Sequence, residues 1–222
     1  MTSVGFIGSG RIGSTVARLS VAAGYDVVLS NSREPETLAD LVKELGPMAR
    51  AATSQEAADE GDLVVVSIPL HAYQDVPAGP LAGKLVLDTC NYSPARDGQI
   101  AELDSGSLTS SELVQRHLAG AHVVKAFNNI FYLHLLSLAR PAGAADRSFL
   151  PIAGDDVSAR TQASAYLDAI GYGAVDAGPL ASSWRQQPGT PAYGPPYGSF
   201  SDPAGTPASE ATIRAALSEA TL

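Results

Sequence analysis

The chain of 222 residues contains a single cysteine, Cys90. An intrachain disulfide is therefore excluded, and a lone thiol fits a reducing, cytoplasmic setting. No apolar run approaches the roughly 20 residues of a membrane span. No signal-peptide pattern precedes the first strand-like segment. Basic residues are scarce: 14 Lys and Arg face 23 Asp and Glu, a net charge of −9. That balance argues against general nucleic-acid binding. The four histidines, His71, His117, His122 and His134, lack ligand spacing and have no cysteine partner, so no metal site is expected. No internal repeat is visible.

The informative residues lie at the start. An apolar run (Val4, Phe6, Ile7) enters the turn Gly8-Ser9-Gly10-Arg11-Ile12-Gly13. The turn opens a helical pattern (Val16, Leu19, Val21, Ala22), and a second apolar run follows from Asp26 to Ser30. A G-x-G-x-x-G match alone is weak, but its place between strand and helix makes this one a dinucleotide-binding fingerprint. Gly8 serves the tight turn, Gly10 the close approach of a pyrophosphate, and Gly13 the packing of helix on strand. The helix N-terminus then favours the phosphate charge. Where NAD sites carry an acidic residue for the ribose 2′-OH, this chain has Asn31, Ser32 and Arg33. A hydroxyl and a guanidinium suit a 2′-phosphate, so NADP(H) is the expected dinucleotide. Arg11 approaches the same phosphate or the adenine face.

The rest predicts a Rossmann-type α/β fold: a doubly wound, mainly parallel sheet with a small C-terminal extension. A helix is predicted over 35–45, an edge strand over 48–52 and a brief helix after Ser54. Two buried strands follow, Asp62 to Ile68 and Lys84 to Leu87, continuous apolar runs rather than alternating ones. In such sheets the ligand lies beyond the strands' carboxyl ends. The loops Pro69–Tyr73 and Asp88–Tyr92 are therefore the expected walls around the nicotinamide. Residues 93–108 read as a surface loop. Thr109-x-x-Glu112 is a capping box opening a helix. A strand over 122–126 and an apolar helix over 131–138 follow. Residues 149–176 read as strand, helix and strand, either extending the sheet or forming a cap. Glycine and proline dominate 188–207, which excludes a core helix or central strand. Residues 1–180 thus form the NADP-binding domain with its α/β extension, and 181–222 an irregular tail with a terminal helix. The tail is expected to drape over its own active site or a partner subunit.

The segments VGFIGSGRIGSTVARLSVAAGYDVVLSNSR, DLVVVSIP, VVKAFNN, PIAGDD and VDAGPL span residues 4 to about 180. In this order the chain resembles the coenzyme F-420-dependent NADP oxidoreductase family, whose fold also appears as the cytosolic reductase domain of metalloreductases. The resemblance implies NADP(H) binding, hydride exchange with a deazaflavin and a homodimer. It implies that Ser9, Arg11, Ser32 and Arg33 carry the NADP phosphates and that Ser67, Ile68 and Pro69 lie near the nicotinamide. After VDAGPL the family continues with an apolar helix, whereas this chain runs SSWRQQPGTPAYGPPYG.

Hydride transfer needs alignment more than acid–base groups. A carbonyl or imine substrate would add the need for a proton donor. His71 is the leading candidate for one, with a surface or capping role as its alternative. Tyr73, Tyr132 and His134 are weaker. Lys125 either hydrogen-bonds a ligand or merely snorkels from a strand, and Asn128 suits the nicotinamide amide or ribose. Cys90 reads as a small buried apolar residue. Trp184 and Arg185 either cover a flat ring or pin the tail to the core. Three readings follow: an NADP(H):deazaflavin oxidoreductase, an NADPH-dependent reductase of a flavin, quinone, imine or ketone, and a non-catalytic NADP(H)-binding module.

Overall fold

The computed structural model describes residues 2–221. Its first βαβ unit is β1 (Ser3–Ile7), α1 (Arg11–Ala22) and β2 (Asp26–Ser30). A 3-10 turn over Pro35–Leu38 leads into α2 (Ala39–Leu45), then β3 (Ala49–Ala51), α3 (Ser54–Glu60) and β4 (Leu63–Val66). Next come β5 (Leu85–Asp88), α4 (Pro94–Asp97), α5 (Ala101–Asp104), α6 (Ser110–His117) and β6 (His122–Lys125). The chain continues with α7 (Tyr132–Ser137), β7 (Phe149–Gly154), α8 (Val157–Ala169), β8 (Gly173–Asp176) and α9 (Glu210–Glu219). Among the described residues no helix is long and apolar enough to cross a membrane.

The strands form one sheet in the order β3-β2-β1-β4-β5-β6-β7-β8. The strands from β3 through β6 pair in parallel, β7 runs antiparallel to β6, and β8 is parallel to β7. The strand order reverses between β1 and β4, which is where ligands bind in such sheets. The apolar runs of β4 and β5 have a physical cause: both faces are covered. Along β4, Val65 joins one core cluster while Val64 and Val66 join the other, on the period of two that a strand dictates. Capping boxes start α3 and α6: the Thr53 and Thr109 hydroxyls accept the N–H of Glu56 and Glu112, whose carboxylates accept back from the threonine N–H groups.

Three expectations are refined. The presumed loop over 93–108 contains the single-turn helices α4 and α5. The unit β7-α8-β8 extends the sheet rather than capping it. The tail packs into the main core: Ala192, Tyr197, Ala208 and Ile213 share one cluster with Val4 and Leu29. Its two 3-10 turns, Leu180–Gln186 and Pro195–Tyr197, bring it back over the carboxyl end of the sheet.

Candidate functional site

The three turn glycines do three different things. Gly8 has φ +101°, a region that favours glycine, and a Cβ there would lie 2.2 Å from the Ser67 carbonyl. A Cβ on Gly13 would lie 2.1 Å from the Gly8 carbonyl. A Cβ on Gly10 would meet nothing within 4 Å, so its backbone faces open space. Helix α1 starts at this open face with no side-chain cap and no acidic residue in its first turn. Its leading N–H groups and dipole fit a phosphate.

Ser9 donates from Oγ to the Ser30 carbonyl at 2.9 Å, tying the turn to the end of β2. Asn31 builds the next bend: Oδ1 accepts from the Arg33 N–H at 2.8 Å, and Nδ2 donates to Thr37 Oγ1 at 3.0 Å. This turn presents Ser32 and Arg33 to solvent. Among the described residues neither Arg33 nor Arg11 has an ion-pair partner. The Arg11 guanidinium stands 5.3 Å from the centre of the Tyr132 ring. Ser67, Ile68 and Pro69 leave β4 hard against the turn, with Ile68 Cγ2 only 2.9 Å from where a Gly8 Cβ would be.

A cleft of about 320 Å³ opens beside the turn. Arg11 and Ile12 line it from α1, Thr89 and Asn91 from the loop after β5, and residues 128–132 from the loop after β6. Tyr193 and Phe200 of the tail close it. Phe131 is the centre of an aromatic group, 4.7 Å from Tyr132 and 5.3 Å from Phe200 between ring centres. No carboxylate, imidazole or ammonium lines the cleft. Among the described residues no group of three His, Cys, Asp or Glu could hold a metal.

The catalytic expectations change most. Lys125 is 1% exposed and does not line the cleft. Its Nζ pairs with Asp88 Oδ2 at 3.3 Å and donates to Ser110 Oγ at 3.1 Å and to the Cys90 carbonyl, so its donors are used internally. Asn128 borders the cleft, but its amide is engaged. Nδ2 donates to Asn91 Oδ1 at 3.0 Å and to the Gln186 carbonyl at 2.8 Å, and Oδ1 accepts from Gln186 Nε2 at 2.9 Å. It clamps the tail from the edge of the cleft. His71 is exposed and turned to Asp97 of α4, 3.2 Å from Nδ1 to Oδ1, rather than lining the cleft. Cys90 is buried, and that burial pushes its thiol well up, so it stays protonated and inert. Arg185 lies over the Trp184 ring at 4.7 Å and donates to the Leu217 carbonyl at 3.1 Å. The pair pins the tail to α9.

Asp97 is a fully enclosed carboxylate. Burial alone would raise it; the Arg96 guanidinium and the N–H groups of Ser93 and His71 outweigh burial and hold it well below the usual carboxylate range. Its contribution to stability is therefore complete above the ordinary carboxyl pKa and is lost as pH falls through the depressed one. Asp97→Asn is expected to lower the Tm at pH 7, with the gap to wild type closing below about pH 4. Thermal melts at pH 7 and pH 3 check this; a gap of constant size would remove the role.

Sequence reasoning missed Asn129, Tyr193 and Phe200 as parts of one wall. Tyrosines spaced through a Gly/Pro-rich tail were the available signal. Phe127 was also unforeseen: at φ 59° it is the one non-glycine in the left-handed region among the described residues. That bend, at a cost of about 1–2 kcal/mol, turns Asn128 and Asn129 toward the tail.

Comparison with known proteins adds to this geometry. Residues 3–92 match the family described as NADP oxidoreductase, coenzyme F420-dependent. The chain is 30% identical over 184 residues to the metalloreductase STEAP3 of Rattus norvegicus, covering 81% of this chain. The match takes in 34% of that relative, so the chain spans about a third of its length. A hypothetical protein of Sinorhizobium meliloti superimposes with a TM-score of 0.72 and 30% identity, over 85% of this chain and 91% of the other. A candidate F420-dependent NADP reductase of Arthrobacter sp. FB24 gives a TM-score of 0.68 at 21% identity, over 82% and 87% of the two chains. At that identity the last likeness concerns the fold.

Proposed function

We propose that the chain, whose residues 3–92 match the coenzyme F420-dependent NADP oxidoreductase family, passes a hydride between NADP(H) and a planar acceptor ring of the deazaflavin type, coenzyme F-420 being the family's example. The dinucleotide lies along residues 8–13, with its pyrophosphate at the uncapped start of α1. Ser32 and Arg33 take the 2′-phosphate, Arg11 approaches from the turn, and Ser67, Ile68 and Pro69 flank the nicotinamide. NADPH supplies a hydride; the acceptor gains that hydride and a proton from water, leaving NADP+. The chain's part is to hold two flat rings face to face and to limit water between them.

The observation that carries this reading is the lining of the cleft: aromatic rings and amides, one guanidinium, and no carboxylate, imidazole or ammonium. Its two phenols are Tyr132 and Tyr193, and burial raises that of Tyr193. A cytoplasmic homodimer completes the proposal; the single buried thiol supports the compartment, and sedimentation tests the dimer.

The test is NADPH oxidation with a deazaflavin, a flavin and a panel of ketones and imines. Turnover confined to ketones or imines would replace the ring-stacking reading, and tight NADPH binding without any turnover would favour a binding module. Arg33→Ala is expected to weaken NADPH about tenfold or more while leaving NADH nearly unchanged, as for loss of a charge-assisted hydrogen bond. Equal loss for both dinucleotides in a titration would remove Arg33 from the 2′-phosphate.

A further inference from the structure

The cleft continues into a groove of about 560 Å³, and the two share Tyr193 and Phe200. The groove is lined by tail residues alone: those two with Gly194, Pro195, Gly198 and Ser199. None carries a charge. Arg11 lines the cleft that shares Tyr193 and Phe200 with the groove, and Arg96 acts on the Tyr193 phenol. Arg96 is already held by both oxygens of Asp97, at 2.8 and 2.7 Å. Asp202 follows the groove in the chain and adds a carboxylate to that side.

The groove is fixed by the rest of the fold. Asn129 Nδ2 donates to the Ala192 carbonyl at 2.8 Å and to the Tyr197 hydroxyl at 3.2 Å. The Asn129 carbonyl accepts from the Gly194 N–H at 2.9 Å. On the other side His134 Nε2 donates to the Asp202 carbonyl at 2.7 Å, and Ser137 Oγ donates to the Ala204 carbonyl at 2.8 Å. Phe200, half exposed between these anchors, rests on Phe131.

We propose that this groove is the second half of the acceptor site. It receives the side chain of the ring that stacks in the cleft, and it selects an uncharged, hydroxyl-bearing chain over one carrying phosphate or carboxylate. The inference rests on the reading that the cleft takes a planar acceptor. Its physical basis is asymmetric. The Ser199 hydroxyl, which already pairs with Ser201 Oγ at 2.8 Å, keeps capacity to exchange a hydrogen bond with an alcohol, as do tail backbone groups. An anion brought against these walls loses water and gains no cation. The net charge of −9 acts in the same direction at longer range. The dinucleotide's phosphates are spared this because they meet Arg33, Arg11 and a helix start.

The experiment uses pairs of ligands that share a ring. The full chain, saturated with NADP+, is titrated calorimetrically with riboflavin and with FMN, which differ by one phosphate. Turnover is compared for a deazaflavin bearing only a ribityl chain and for coenzyme F-420, which has an anionic chain. The neutral-chain member of each pair is expected to be favoured roughly five- to tenfold. Ser199→Lys is expected to narrow that preference about three- to fivefold, the effect of one partly exposed ion pair. Ser137→Ala, which frees the Ala204 anchor, is expected to weaken riboflavin while leaving the NADPH Kd unchanged. Equal or tighter binding of the anionic member overturns the inference while the ring-stacking reading stands. An unchanged preference in a folded Ser199→Lys protein also overturns it. If neither ring binds or is reduced although NADPH binds, the reading of the cleft fails and the inference falls with it.

Discussion

Gly13→Ala is expected to lower NADPH affinity about 100-fold, by displacing the phosphate-facing start of α1 on the order of 1 Å. The new Cβ would stand 2.1 Å from the Gly8 carbonyl and 3.3 Å from Ser67 Cβ. Neither neighbour can yield, because Gly8 is itself at φ +101° and pressed against the Ser67 carbonyl. The helix must move outward, and the strain falls at the upper end of the roughly 1–3 kcal/mol typical of overpacking. For a chain of this size that corresponds to a Tm lower by about 5–10 °C. Gly10→Ala is the informative contrast. Its Cβ meets no protein atom within 4 Å, so the Tm should hold while NADPH still weakens. Thermal melts together with NADPH titration separate the two; wild-type affinity in Gly13→Ala would remove the turn from the site.

Lys125→Met is expected to cost about 3–5 kcal/mol of stability, because it leaves a buried carboxylate without its partner. Asp88 is 0% exposed, and besides Lys125 it accepts from the Cys90 N–H at 2.8 Å and from Ser111 Oγ at 2.6 Å. The pair therefore binds β5 to β6, the start of α6 and the loop that carries Thr89 and Asn91 to the cleft. A Tm lower by about 10 °C follows from that energy and chain length. Asp88→Asn should cost a similar amount, since it leaves the buried Lys125 ammonium without its counter-charge. The double variant Lys125→Met/Asp88→Asn should lose less than the sum of the singles. Denaturation of all four proteins closes the cycle. A single-variant loss under about 1 kcal/mol would show that the pair does not hold this corner.

The parts of the fold that could be read beforehand are those decided within a few residues. Thr109 and Glu112 cap a helix because they sit three apart, and Val64 to Val66 announce burial because both neighbouring layers demand apolar side chains. The same locality made Gly8, Gly10 and Gly13 interpretable. Strand direction is not local: nothing in Phe149–Gly154 records that β7 would run against β6. The partners of Asn128 and Lys125 were hidden for the same reason. Asn128 looked free for a ligand because its partner Gln186 lies 58 residues later. Lys125 looked available because Asp88 lies 37 residues earlier. Polar residues near the ends of strands attract functional readings, and only the tertiary fold reveals which of them are already engaged.

The order in which the cleft's walls occur along the chain has a consequence for biosynthesis. The phosphate turn and the bend at Asn31 lie within the first βαβ unit, while Tyr193 and Phe200 are synthesised well after them. A growing polypeptide folds its N-terminal units first. The dinucleotide is thus the earlier ligand the nascent protein can hold, and by mass action it stabilises the half already made. On the proposed function the hydride acceptor has no seat until translation has delivered the tail, so a partly synthesised chain would retain NADPH without discharging it.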